Sequence, residues 1–139
     1  MYKLRVKAAF DSAHFLSGYN GKCANIHGHR WTVEVEIKGE ELQHSGEKKG
    51  MLIDFGDLKK AVKELADSFD HTLIYESGSL RESTLTALAE ENFRLIEVSF
   101  RPTAENFAKH FYGLLSGQGF EISSVTVYET PDNCAVYEV

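Results

Sequence analysis

Strict alternation governs two stretches of this chain and limits what it can fold into. Tyr2, Leu4, Val6, Ala8 and Phe10 occupy every second position, with Lys3, Arg5, Lys7 and Ala9 between them. Trp31, Val33, Val35 and Ile37 repeat the pattern against Thr32, Glu34, Glu36 and Lys38. Successive side chains of a strand point to opposite faces, so each stretch predicts a strand with one face covered and one wet. The turn-forming run Ser17-Gly18-Tyr19-Asn20-Gly21 lies between them and predicts an antiparallel strand–loop–strand opening. The polar residues Gly39 to Gly50 read as a hairpin connection, after which Met51-Leu52-Ile53 re-enters the sheet.

From Asp54 the period becomes helical. Leu58, Ala61, Val62, Leu65, Ala66 and Phe69 recur at steps of three and four, and Asp54 is placed to cap the first turn. Asp70-His71 falls where this helix ends. A short helix is expected within Leu80 to Asn92, stopped by Asn92, followed by a strand over Leu95 to Phe100. Arg101-Pro102-Thr103 introduces a second long helix, with Thr103 as N-cap and Phe107, Phe111, Leu114 and Leu115 on its apolar side. Two last strands, Ile122–Glu129 and Cys134–Val139, flank the turn signal Thr130-Pro131-Asp132-Asn133. No repeat, low-complexity tract or linker interrupts residues 1–139, which are expected to form one domain. The order of elements predicts an α+β fold, with helices on one face of an antiparallel sheet.

Composition narrows the function classes. A net charge of −6 over 139 residues argues against general nucleic-acid binding, which calls for a basic stripe. No apolar run approaches the ~20 residues that span a bilayer, and the alternating N-terminus is unlike a signal peptide. The two cysteines, Cys23 and Cys134, read as free thiols of a cytoplasmic protein, Cys134 as a small packing residue. A domain of this size folds without a metal clamp, so a metal site here calls for a functional reason.

Such a site is written into the strands. His27 and His29 share parity with Trp31, Val33, Val35 and Ile37, and His14 shares parity with the covered face of the first strand. Three imidazoles thus point to the covered faces of two strands expected to be neighbours. Buried without partners they would cost several kcal/mol, a penalty that a shared cation removes. Three neutral nitrogens suit zinc, and three protein ligands leave a position open, as catalytic sites do. Cys23, four residues before His27 on a glycine-rich loop, is either a fourth ligand closing a structural site or a thiol activated by the nearby cation. His44 and His110 lack such company and read as surface and packing residues. By themselves, Asp70-His71 is a helix terminus, Glu129 a solvated carboxylate, and Glu105 a first-turn acid that favours the helix dipole.

The string Phe10-x-x-Ala-His14, then Cys23-x-x-x-His27-Gly-His29, resembles the 6-pyruvoyltetrahydropterin synthase family, which includes the 6-carboxytetrahydropterin synthases. The likeness continues through Ile53-Asp54-Phe55, Phe69-Asp70-His71, Pro102-Thr103-Ala104-Glu105-Asn106 and Tyr128-Glu129-Thr130-Pro131, in family order over nearly the whole chain. Arg101, where many relatives carry Asn, and a longer insert over Ser77 to Glu97 depart from the pattern without touching the histidines. The resemblance implies a tunnelling fold: a four-stranded antiparallel sheet with two helices on one face, assembled into trimers that pair as hexamers, with active sites between subunits. It implies a zinc enzyme acting on 7,8-dihydroneopterin triphosphate, with the metal on His14, His27 and His29. Cys23 is then the proton acceptor, Asp70 and His71 the opposing acid–base group, and Glu129 the pterin anchor and a member of the proton relay. Thr103 and Glu105 help to hold the pterin. One branch eliminates triphosphate to give the pyruvoyl product. The other also releases acetaldehyde and gives 6-carboxytetrahydropterin, on the route to queuosine-type deazapurines. A non-catalytic zinc module, closed by Cys23, stands as the reading from another class.

Overall fold

The computed structural model describes residues Met1–Val139. Its elements run β1 (Tyr2–His14), a 3-10 turn (Lys22–Ala24), β2 (His27–Gly39), α1 (Phe55–Phe69), β3 (Thr72–Glu76), α2 (Glu82–Glu90), β4 (Leu95–Val98), α3 (Ala104–Ser116), β5 (Ile122–Thr130) and β6 (Asn133–Glu138). The two alternating stretches pair antiparallel in one unbroken register, from Tyr2 opposite Gly39 to His14 opposite His27. β2 pairs antiparallel with β5, through a bulge at Glu36/Ile37, and β5 with β6.

The sheet has six strands in the order β4-β3-β1-β2-β5-β6. The expected four antiparallel strands are its β1-β2-β5-β6 portion, and β3 and β4 extend it in parallel. Two backbone reversals create this extension. His71 takes a left-handed conformation, φ 55°, and turns the chain after α1 to run beside Ser12–His14; Asn92, φ 65°, ends α2 before β4. Pairing of β3 with β1 covers only those three residues, so the edge of β1 over Tyr2–Phe10 stays open.

Met51-Leu52-Ile53 does not rejoin the sheet. Gln43 N–H donates to the Met51 carbonyl at 3.0 Å and Gly50 N–H to the Gln43 carbonyl at 2.8 Å, so this segment satisfies its backbone locally. Leu52 and Ile53 pack against the core instead. Gly39 to Gly50 is therefore a crossing loop that leads to α1, not a hairpin.

α1 and α3 cover one sheet face. Asp54 accepts from Gly56 N–H at 2.7 Å and Thr103 from Asn106 N–H at 3.2 Å, caps worth about 1 kcal/mol each. The periodic residues of α1 are all buried, as are Phe107 and Phe111 of α3, whereas Leu114 is exposed. Phe107 fills the layer between helix and sheet, 5.0 Å from Trp31 and stacked 5.5 Å from Phe111. A fully buried aromatic of this kind contributes about 1.5–3 kcal/mol. His110 packs beside Phe100 at 5.1 Å and His44 lies in solvent, as expected. Cys134 is exposed on β6, since its side chain falls on the uncovered face, and is not a packing residue. No helix is long and apolar enough to cross a membrane.

Candidate metal centre

Strand register assembles the histidines. His14 ends β1 directly opposite His27, and His29 lies one same-face step along β2, opposite Ser12. Ring centroids are 4.6 Å apart for His14–His27, 5.1 Å for His14–His29 and 4.8 Å for His27–His29. Trp31, the next same-face residue, is fully buried and meets His14 and His29 edge-on at 4.8 and 5.3 Å. It forms an apolar floor. His14 is only 1% exposed.

Tautomers follow from the hydrogen bonds. His14 Nδ1 lies 2.7 Å from the Pro102 carbonyl, and His27 Nδ1 lies 2.7 Å from the Asn25 carbonyl. A carbonyl only accepts, so in each neutral ring the proton sits on Nδ1 and the lone pair on Nε2. Those two Nε2 atoms face each other at 3.1 Å. Two lone pairs at that distance repel unless a cation lies between them. Burial holds His14 down to about 4 and also lowers His29, which favours the neutral ring at pH 7.

A fourth donor completes the group. Glu129, at the end of β5, brings Oε1 to 3.0 Å from His29 Nε2. That nitrogen is buried and makes no aligned hydrogen bond, so its position beside the carboxylate is not explained by hydrogen bonding. The donor atoms of His14, His27, His29 and Glu129 lie within 4.8 Å of one another. The 3.1 Å separation of the first two matches the ~3.3 Å edge of a tetrahedron with ~2.0–2.1 Å zinc–nitrogen bonds. Neutral imidazoles oriented by backbone carbonyls, plus an orphaned buried nitrogen, fit a first-row divalent metal.

The other expected site residues are spread around this centre. Cys23, half-buried on the 3-10 turn, is absent from the four-donor group; its carbonyl accepts from Leu16 N–H, and Arg101 ties the same loop through the Ser17 carbonyl. Asp70 Oδ2 lies 2.7 Å from His71 Nδ1, and Asp70 Oδ1 accepts from Asp11 N–H at 2.8 Å. The Asp11 amide, then His71, holds the Asp70 carboxyl below the usual carboxylate range. The left-handed turn at His71 brings these neighbours into contact. His71 keeps Nε2 toward solvent, its side chain 76% exposed. His29 and His71 line one open groove of about 690 Å³, together with Asp11, Gly28 and Phe93. Thr103 caps α3 and Glu105 is exposed in its first turn. Pro102 and Asn25, which fix the tautomers, carry no sequence signal, because both act through main-chain oxygen.

Residues 3–139 match the family described as 6-pyruvoyl tetrahydropterin synthase. A 6-carboxy-5,6,7,8-tetrahydropterin synthase of Haemophilus influenzae is 41% identical over 141 residues, covering 99% of each chain. One of Rickettsia felis is 35% identical, covering 98% of this chain and 99% of the relative. Among solved structures, an uncharacterized protein of Wolinella succinogenes superimposes with TM-score 0.82 at 22% identity, over 99% of this chain and 97% of that one. The Caenorhabditis elegans 6-pyruvoyl tetrahydropterin synthase gives TM-score 0.69 at 23% identity, over 99% and 95%. These two likenesses bear on the fold. With the family match over nearly its full length and these relatives beside it, the chain belongs to the 6-pyruvoyl tetrahydropterin synthase family.

Proposed function

We propose that this protein is a zinc-dependent 6-carboxy-5,6,7,8-tetrahydropterin synthase. It converts 7,8-dihydroneopterin triphosphate to 6-carboxytetrahydropterin, acetaldehyde and triphosphate, in a cytoplasmic route to queuosine-type deazapurines. The observation that carries the reading is the cluster of three histidines, with His14 and His27 in matched tautomers, in a chain 41% identical end to end to a relative bearing that name.

His14, His27 and His29 would hold the zinc. When bound there, zinc supplies Lewis-acid stabilisation of charge developing on a side-chain hydroxyl, worth several kcal/mol. The remaining chemistry belongs to the chain. Cys23 accepts a proton from side-chain carbon. Its turn precedes His27 by four residues and is pinned through Leu16 and Arg101. His71 serves as the opposing acid–base group, with the lone pair on Nε2 because Nδ1 donates to Asp70. Glu129 accepts paired hydrogen bonds from the aminopyrimidine edge. Thr103 and Glu105 border the pterin at the start of α3.

The reading includes assembly into trimers and hexamers with active sites between subunits. The open edges of β1 and β6 support this reading, since long unpaired edges invite strand pairing. Incubation of purified protein with 7,8-dihydroneopterin triphosphate tests the proposal. Acetaldehyde release supports it; a reducible pyruvoyl product without acetaldehyde assigns the chain to the other branch. The non-catalytic module needs Cys23 as the closing ligand, and the nearest fourth donor is Glu129.

A further inference from the structure

Two features of Glu129 do not fit a carboxylate that waits only for a pterin. Its Oε1 already lies 3.0 Å from the buried His29 Nε2, and that contact is not an aligned hydrogen bond. With its proton on Nδ1, as in His14 and His27, a neutral His29 turns its Nε2 lone pair to that carboxylate oxygen, a contact that is repulsive by itself. The same holds for the facing lone pairs of His14 and His27. All four atoms gather within 4.8 Å, on a floor made by Trp31. One cation relieves every one of these contacts together. A carboxylate is a competent zinc ligand beside imidazoles. Glu129 is also the most adaptable of the four, with its side chain 25% exposed and at the end of a strand, whereas His14 is locked by the Pro102 carbonyl.

We infer that Glu129 is a displaceable fourth metal ligand in the substrate-free protein, exchanged from the cation to the pterin edge when substrate arrives. This rests on the pterin reading above and adds a device to it. The carboxylate fills the vacant position until a pterin offers two N–H donors. It then rotates away, and a substrate hydroxyl takes the vertex. No bond to carbon changes and no proton is lost in the exchange. One residue thereby couples recognition of the ring to opening of the metal, so a hydroxylated compound without a pterin ring does not gain entry.

Cobalt(II) in place of zinc reports the exchange, because its visible spectrum is set by ligand number and type. The full-length protein, Glu129→Gln and Glu129→Asp are loaded with cobalt, and folding is checked by circular dichroism. The substrate-free wild type is expected to show the intense bands of a four-coordinate centre. Glu129→Gln should show altered bands and a metal affinity weaker by at least about tenfold, the loss that even an outer-shell partner causes. Glu129→Asp, which keeps a shorter carboxylate, should fall between. Neopterin, which carries the ring and the side-chain hydroxyls, should shift the wild-type spectrum, and glycerol should not. Identical spectra and affinities for wild type and Glu129→Gln would overturn the inference while leaving the metal centre intact. A near-ultraviolet thiolate band that disappears in Cys23→Ala would also overturn it, by giving the vertex to Cys23. Failure of the wild type to take up cobalt would remove both this inference and the metal centre beneath it.

Discussion

Acid should weaken the metal-free protein through one buried ring. His14 is 1% exposed, and burial lowers it from 6.5 to about 4, with the Pro102 carbonyl opposing that shift only in part. In the unfolded chain the ring regains its ordinary value. Between these two values the unfolded state binds more protons than the folded one, so stability falls as pH falls. It is fully present above pH 6.5 and lost progressively down to about 4. Linkage through this group gives losses of about 1 kcal/mol at pH 6, about 2 at pH 5 and about 3 at pH 4. Urea unfolding of the chelated protein at fixed concentration measures them. His29 and His110 are also lowered by burial, so they too disfavour the folded state as pH falls. The difference between wild type and His14→Gln therefore isolates His14, because glutamine still offers an N–H to Pro102. Parallel pH dependences for the two proteins would refute the reasoning.

Phe107→Ala should cost about 3–5 kcal/mol in urea unfolding, since it empties the layer between Trp31 and Phe111. Thr103→Ala should cost about 1 kcal/mol through loss of the α3 cap; a raised KM for the pterin beyond that would show contact with substrate as well. His71→Ala should lower kcat by about 10²–10⁴ without loss of metal. Asp70→Asn should lower it less and move the pH–rate profile, because His71 loses its carboxylate partner. An unchanged profile in Asp70→Asn would remove Asp70 from the relay.

Much of this molecule was legible because period two is a strong signal. Parity alone put His14, His27 and His29 on one face, and the register that brings His14 opposite His27 follows from the long antiparallel pair. The helices were legible from Asp54, Thr103 and the spacing of their apolar residues. β3 was not, because Thr72-Leu73-Ile74-Tyr75-Glu76 is too short to establish a period and follows a helix directly. Its placement depends on a positive φ at His71, a conformation uncommon outside glycine and not announced by a histidine in the sequence. Met51-Leu52-Ile53 misled for the opposite reason. Its apolar character serves packing under a loop, not a ladder. The tautomer-setting carbonyl of Pro102 lies 88 residues from His14, and no residue type announces a main-chain oxygen. The approach of Glu129 to His29 likewise depends on where β5 ends beside β2.

Metal content after purification and dialysis shows whether His14, His27 and His29 share one ion. Wild type should retain one zinc per chain, and His14→Ala, His27→Ala and His29→Ala should each retain none while keeping a folded oligomer. Full zinc occupancy in any of the three variants would contradict the convergence of those imidazoles on one ion, and unfolding of the metal-free wild type would contradict a centre that serves chemistry instead of folding.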